Sequence, residues 1–220
     1  MILVVGSTGL VGGMITGRLL EQGTDVRILV RPGSAYQPLV EAGAQPVAGD
    51  LKNPASLAAA CAGVETIITT ASSGARGGAD TPQTVEIEGT RHLVDAALAA
   101  GVSQLVFVST IAADQDSPVE LLQAKAAAEN YLRESGLSYT ILAADVLLDT
   151  MVRLVIGAPV QNGLPVTLVG EGKGRHSFLA ADDMAAFAVA FVGYPAAMNQ
   201  RVIVGGPEPV SLRDIVGTYE

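Results

Sequence analysis

Residues 1–13 read MILVVGSTGLVGG, an apolar run that meets glycines at Gly6, Gly9 and Gly12 where a strand pattern gives way to a helical one. Glycine buries no side chain and costs about 1 kcal/mol relative to alanine inside a helix. A recurrence every third residue is therefore not a core stripe. It marks a backbone that turns as other residues resist turning, or one that something approaches closely.

Downstream the chain keeps one rhythm: short apolar run, turn, longer helical segment. The strand-like runs are ILVV (2–5), VRILV (26–30), QPVA (45–48), ETIIT (65–69), QLVFV (104–108) and SYTIL (138–142). Helices are expected at 10–22, 35–42, 55–60, 83–100 and 119–134. Many of these close on glycine, in EQG, EAG, CAG, AAG and ESG, which supplies a left-handed C-cap. Strands alternating with such helices pair in parallel through right-handed crossovers. The expected fold class is α/β, a doubly wound parallel sheet of order 3-2-1-4-5-6. That core takes residues 1–144, and 145–220 read as a smaller substrate-side region interleaved with it. In the latter, GLPVTLV (163–169) is strand-like, Asp182 is expected to cap a helix, and RVIVGG (201–206) resembles one more strand. Ser211 is expected to cap a helix still running at Glu220, which reads as an incomplete C-terminus.

Composition agrees with this. The 220 residues are 49% apolar but only 4% aromatic, so the core should be Val, Ile, Leu and Ala beneath Ala-rich helices. A net charge of -9 argues against nucleic acid or anionic membrane as a partner. The single Cys61 excludes an internal disulfide framework and reads as a packing residue. His92 and His176 share no metal-ligand spacing, and no metal is expected. The start has no basic n-region, and the longest uncharged stretch, 184–200, is interrupted by Gly193 and Pro195. No targeting or spanning segment is read, and a cytoplasmic location is expected.

The opening glycines now have a context, between a first strand and a first helix of a βαβ unit. Gly6 would allow the tight turn, Gly9 the approach of a pyrophosphate, and Gly12 close packing of helix on strand. The phosphates would rest on the N–H groups of Ser7, Thr8, Gly9, Leu10 and Val11, where the helix dipole favours anions. The second strand ends in DVRILVRPGS, with Arg31 where an NAD site places a carboxylate. A guanidinium suits a 2′-phosphate, so NADP is expected. No second basic residue follows from Gly33 to Tyr36, which leaves NAD admissible and leaves Arg31 the alternative of a solvated strand-end charge.

GSTGLVGG, LVRPGS, GDL (49–51), EGTRHLVDAALAAGVSQLVFVST and the lone Lys125 together resemble the NmrA-like NAD(P)-binding proteins among the atypical short-chain dehydrogenase/reductases. That group includes quinone and triphenylmethane-dye reductases, isoflavone-reductase relatives and a redox-sensing regulator. The resemblance implies a Rossmann fold, Asp50 and Leu51 beside the adenine, and Thr70, Ala71 and Ser72 along the ribose and pyrophosphate. It also implies Ser109 and Thr110 facing the nicotinamide. Asp50 has the alternative of capping the helix near Pro54, and Ser109 of capping a turn.

The superfamily's Tyr-x-x-x-Lys pair is incomplete here. Lys125 takes the lysine position, and Leu121 stands where the proton-donating tyrosine would be. Tyr131 and Tyr139 do not replace it by spacing. Lys125 is the candidate catalytic residue, holding the nicotinamide ribose; its structural alternative is an ion pair with Glu129 one turn on. A positioned acid is worth roughly 10²–10⁴-fold in ketone reduction, whereas a quinone or cationic dye accepts hydride into a delocalised product. The expected function is thus an NADP-dependent oxidoreductase with a small-molecule hydride acceptor as partner; its rival is a non-catalytic NADP-binding sensor. A third reading, a sugar-nucleotide epimerase, is weakened because it also needs the tyrosine. Homo-oligomerisation is left open. Substrate contacts are expected from 73–80, 112–117 and 145–161, the last with an apolar wall of Val146, Leu147, Met151 and Val155.

Overall fold

The structure, a computed structural model, describes residues 1–218 except Ala75 and Val169, and Leu154 through its backbone alone. Six strands follow the predicted runs closely: β1 (Ile2–Val5), β2 (Val26–Val30), β3 (Gln45–Ala48), β4 (Thr66–Thr69), β5 (Gln104–Thr110) and β6 (Tyr139–Ala144). Next come β7 (Arg175–His176), β8 (Gln200–Val204) and β9 (Val210–Ser211). The main sheet is parallel throughout, in the order β3-β2-β1-β4-β5-β6-β8. This contains the expected order and adds the 201–206 run as an edge strand beside β6.

Its strands are apolar at nearly every position because both faces are covered. Leu3, Val5, Ile67, Leu105 and Phe107 face the layer built by α3 (Pro54–Cys61), α4 (Thr90–Ala100) and α5 (Glu120–Glu134). Ile2, Val4, Ile28, Ile68 and Val106 face the other layer, under α1 (Leu10–Glu21) and α8 (Ala181–Ala190). The period-2 alternation of side chains thus separates two cores without a polar phase. Cys61 is buried in the first of them, where burial, opposed by Arg27, pushes its thiol up to about 11. The remaining helices are short: α2 (Gln37–Glu41), α6 (Leu148–Met151), α7 (Ala158–Gln161) and α9 (Leu212–Gly217). The AAG stop works as expected, with Gly101 left-handed at φ +72° after α4. Among the described residues no helix is long and apolar enough to cross a membrane.

Three expectations are corrected. The 83–100 segment is not one regular helix: π-helical turns over Pro82–Gly89 lead into α4, capped by Thr81, whose Oγ1 accepts from the Thr84 amide at 3.2 Å. Within these wide turns Glu86 is buried at 1% exposure. Asp182 does not cap α8. It lies in the first turn and pairs with Arg18 of α1, while Asp149 accepts from the Ala181 amide at 2.6 Å. Residues 164–168 form no strand: Pro165 lacks the N–H that a ladder needs, and β8 takes the sheet edge beside β6. Instead β7 pairs antiparallel with β9. Ser211 does cap α9, accepting from the Asp214 amide while Asp214 accepts from its own. The continuation of that helix to Glu220 lies outside the described residues.

Candidate functional site

The opening glycines divide by role. Gly6 turns with φ +88°, and a Cβ there would lie 2.6 Å from Thr70 Oγ1. A Cβ on Gly12 would run into the Gly6 carbonyl, 2.7 Å from its carbon. Both are required by internal packing. Gly9 differs: it has φ -83°, is exposed, and only the Gly6 carbonyl oxygen, at 3.3 Å, comes near its Cβ position. Helix α1 begins there with no side-chain cap and no acidic residue in its first turn. Its first N–H groups and the positive end of its dipole therefore face the open side of the loop. Ser7 Oγ, fully buried beside them, has no partner among the described residues. Such a cradle fits the pyrophosphate of a dinucleotide: an anion supplies the acceptors that the loop lacks.

Beyond it, at the carboxyl ends of β2 and β3, a small cavity of about 50 Å³ is lined by Gly6, Thr8, Arg31, Leu51, Lys52 and Arg76, among others. Arg31 is not a free strand-end charge. Its Nη1 donates to Asp80 Oδ2 at 2.6 Å, Arg76 donates to the same oxygen at 3.2 Å, and Lys52 Nζ donates to Asp80 Oδ1 at 2.5 Å. The Lys52 contact, opposed by burial and helped by both arginines, holds the Asp80 carboxyl well below the usual carboxylate range. Burial works to lower Lys52, but Asp80 and Asp50 outweigh it and hold its ammonium above the ordinary value. Asp50 does not cap α3, which starts without a side-chain cap; its carboxylate accepts from the Lys52 amide and ammonium at 2.8 and 2.9 Å. Leu51 is buried, and its carbonyl meets His92 Nδ1 at 2.8 Å, which gives that histidine a structural partner.

At the ends of β4 and β5 a chain of polar groups is buried under α5. The Thr70 amide donates to Val5 O at 2.9 Å, which ties the end of β4 to the glycine loop. After Ala71, Ser72 Oγ and the Ser73 amide donate to Glu86 Oε1 at 2.7 and 2.9 Å. Glu86 Oε2 is buried without a partner among the described residues. Lys125 is 7% exposed, with Nζ 5.3 Å from the Phe107 ring centroid. Burial pushes its ammonium down, against the opposing pull of Glu86 and then Glu129. It makes no ion pair with Glu129, whose Oε2 is taken by Arg133 at 2.6 Å and Arg201 at 2.9 Å. Glu129 Oε1 accepts from Ser109 Oγ at 2.6 Å, so Ser109 neither caps a turn nor has a free hydroxyl. Thr110 caps the following turn instead, accepting from the Ala112 amide at 3.2 Å. Leu121 covers the segment after β4, its Cδ2 3.6 Å from where a Gly74 Cβ would sit.

A cleft of about 1000 Å³ opens beside the glycine loop. One wall is Leu10, 51% exposed at the start of α1; the others include Leu148, Val152, Val160 and, from α9, Ile215. None of Val146, Leu147, Met151 and Val155 lines it, and Leu147 packs on the core instead. The face presented is that of Leu148 and Val152, one helical turn apart. In the 112–117 loop, Asp114 accepts from the Asp116 amide at 3.0 Å, a local turn bond that leaves Asp116 exposed. His176 meets Asp145 at 3.0 Å. Among the described residues no cluster fit to hold a metal ion occurs.

Sequence reasoning missed Lys52, Glu86 and Arg201, and placed Arg76 and Asp80 only within the 73–80 segment marked for substrate contacts. Lys52 directly follows the GDL motif and could have been noticed there. Glu86 carried no such signal, since Gln83, Gly89 and Thr90 on its helical face are not apolar.

A family described as NAD(P)H-binding matches residues 6–195 of this chain. An NAD(P)H azoreductase of Xenophilus azovorans is 30% identical over 96% of this chain and 70% of its own length. The photosystem II assembly factor Ycf39 of Cyanophora paradoxa is 39% identical over 140 residues, 64% of this chain but only 43% of that protein. Among solved structures, an NADPH-dependent quinone oxidoreductase of Escherichia coli complexed with NADPH shares the fold with a TM-score of 0.82, at 23% identity, over 99% of this chain and 73% of its own. The family match runs from the first loop glycine through the polar chain around Lys125 and past the end of α8. This chain therefore belongs to the NAD(P)H-binding family, in the NmrA-like group of atypical short-chain dehydrogenase/reductases that its motifs resemble.

Proposed function

We propose that the protein is an NADPH-dependent reductase that passes hydride to a small, flat, delocalised electrophile such as a quinone. The observation that carries this reading is the cleft of about 1000 Å³, opening at Leu10 beside the phosphate cradle, whose walls are largely apolar with Asp149, Arg153 and Gln161 among them. When bound, NADPH supplies the hydride. The chain's own part is to hold and to exclude. Ser7, Thr8, Leu10 and Val11 offer N–H groups to the pyrophosphate beside Gly9, whose own amide donates to Gly6 O at 3.0 Å. Arg31 offers a guanidinium to the 2′-phosphate, and Asp50, Leu51, Thr70, Ala71 and Ser72 line the path between. Lys125 holds a positive charge next to the nicotinamide end, and Leu148 and Val152 keep water from the acceptor's face.

The acceptor class follows from Leu121. No phenol is available to protonate an alkoxide, so an acceptor whose reduced form spreads its charge and takes its proton from water is favoured. The rival reading, a non-catalytic NADPH-binding regulator or assembly factor, is favoured by the 39% identity to a photosystem II assembly factor. NADPH oxidation with a panel of quinones and cationic dyes separates the two. Turnover with at least one acceptor class is expected; tight NADPH binding with no turnover on any of them hands the function to the regulator.

For the cofactor, NADPH is expected to bind more tightly than NADH, and Arg31→Ala to narrow that gap by about tenfold, the worth of one charge-assisted contact. Isothermal titration with both nucleotides reads this directly. Equal affinities in the unmutated protein would remove Arg31 from the 2′-phosphate site.

A further inference from the structure

Three cations from three separate parts of the chain converge on one carboxylate at the edge of the adenosine cavity. Arg31 comes from the end of β2, Lys52 from the turn after β3, and Arg76 and Asp80 from the segment after β4. Asp80 uses both oxygens, Oδ2 for Arg31 and Arg76 and Oδ1 for Lys52. Its side chain is only 12% exposed, whereas the three cations, at 27–38%, keep one side toward solvent. A surface ion pair seldom organises so many partners, because each long side chain loses rotamer freedom to join it. The three cations also line the cavity that holds Gly6 and Thr8 of the phosphate loop.

We propose that Asp80 is a built-in stand-in for the 2′-phosphate: it occupies the Arg31–Lys52–Arg76 cluster in the empty protein, and only a cofactor carrying that phosphate displaces it. This rests on the reading of the cleft as a site for a phosphorylated dinucleotide. Several observations support it. A phosphate monoester brings close to two negative charges and three acceptor oxygens, against one charge and two oxygens for Asp80, so three cations prefer it. The cavity as it stands measures about 50 Å³, well under the ~300–1,000 Å³ of a site that encloses a small molecule. With both Asp80 oxygens on the three cations, a phosphate reaches all three only where Asp80 withdraws. Among the described residues the Asp80 backbone makes one bond within its segment, from its amide to Gly77 O at 3.3 Å, while the neighbouring Ala79 O accepts from Thr84 Oγ1 at 2.7 Å. Gly77 and Gly78 pack against nothing within 4 Å of a Cβ position, and Gly78 has φ +65°. Asp80 can thus turn away about Gly77 and Gly78 while Arg31, Lys52 and Arg76 stay in place. NADH has no group that competes for the cations, so Asp80 stays in place when it binds. Selectivity then comes from an internal competitor as well as from Arg31.

The test compares the unmutated protein with Asp80→Asn, Lys52→Met and Arg76→Met, titrated with NADPH, NADH and 2′-AMP. Asp80→Asn keeps the shape but loses the charge, and should tighten NADPH and 2′-AMP by about tenfold, leaving NADH within about twofold. Lys52→Met and Arg76→Met should each weaken NADPH and 2′-AMP by about five- to tenfold without moving NADH. Circular dichroism and thermal melting confirm that each variant folds, and the two cation variants carry the test should Asp80→Asn not fold. If Asp80→Asn leaves NADPH unchanged or weaker while the unmutated protein still prefers NADPH, this proposal falls and the cofactor reading stands. Weakened NADH binding in Asp80→Asn would make Asp80 a ribose-hydroxyl acceptor, which likewise overturns it. If the unmutated protein binds neither nucleotide, the cofactor reading fails and this proposal with it.

Discussion

Gly9→Val should yield a folded protein that binds neither NADPH nor NADH, with affinity down by at least ~100-fold, or about 2.7 kcal/mol. Folding should survive because Gly9 already has an extended, right-sided conformation, φ -83° and ψ 169°, that a β-branched residue adopts readily. Only the Gly6 carbonyl oxygen, at 3.3 Å, lies close to the new Cβ, so a shift of a few tenths of an ångström suffices. Binding should not survive, since two methyl groups would stand over the uncapped first turn of α1, where the phosphates must touch the N–H groups. Gly12→Ala provides the contrast. Its Cβ meets the Gly6 carbonyl, which is backbone and cannot step aside, so that variant should lose stability rather than binding alone. Isothermal titration beside a thermal melt separates the two outcomes. A folded Gly9→Val protein that still binds either nucleotide would sink the assignment of this loop to the pyrophosphate.

The largest stability effect should come from Glu129→Ala, at about 3 kcal/mol, the lower part of the range for breaking a buried ion pair. Glu129 is 2% exposed and ties three elements together: α5, on which it sits, β5 through Ser109, and β8 through Arg201. Its removal leaves the Ser109 hydroxyl without its acceptor and Arg201 with only the Thr110 carbonyl at 2.8 Å. Arg201 and Arg133, with side chains 26% and 34% exposed, can recover some solvation, which keeps the loss from reaching the upper end. For a domain of this size the melting temperature should fall by roughly 6–12 °C. Glu129→Gln keeps an acceptor for Ser109 and should lie between. Urea unfolding of the three proteins reads this, and a loss under about 1 kcal/mol in Glu129→Ala would show that the network is solvated rather than buried.

Much of the frame was legible because its causes are local. The alternation of apolar runs and helical segments, the stop at Gly101 and the cap at Ser211 each depend on a few neighbouring residues, and each is found where the pattern put it. Strand order followed too, since right-handed crossovers leave few ways to lay these strands side by side. The expectations that failed concerned residues with two local options of similar worth. Asp182 could have capped α8, but Asp149 reaches the Ala181 amide and Arg18 takes Asp182. Residues 164–168 have strand composition, yet β8 takes the β6 edge and they form no strand.

The sequence by itself determined the α/β architecture, the glycine cradle at the start of α1 and the absence of a tyrosine four residues before Lys125. Each of these is a matter of residue type at short spacing, where backbone sterics and periodicity act directly. Only the tertiary structure decided which charges meet. Arg31 finds Asp80 49 residues on, Lys52 finds it 28 residues on, and Arg201 finds Glu129 across 72. Nothing local encodes these encounters, because a charged side chain has no preferred partner until strand order and loop path bring one within a few ångströms. There the loss of water makes pairing the lower-energy choice.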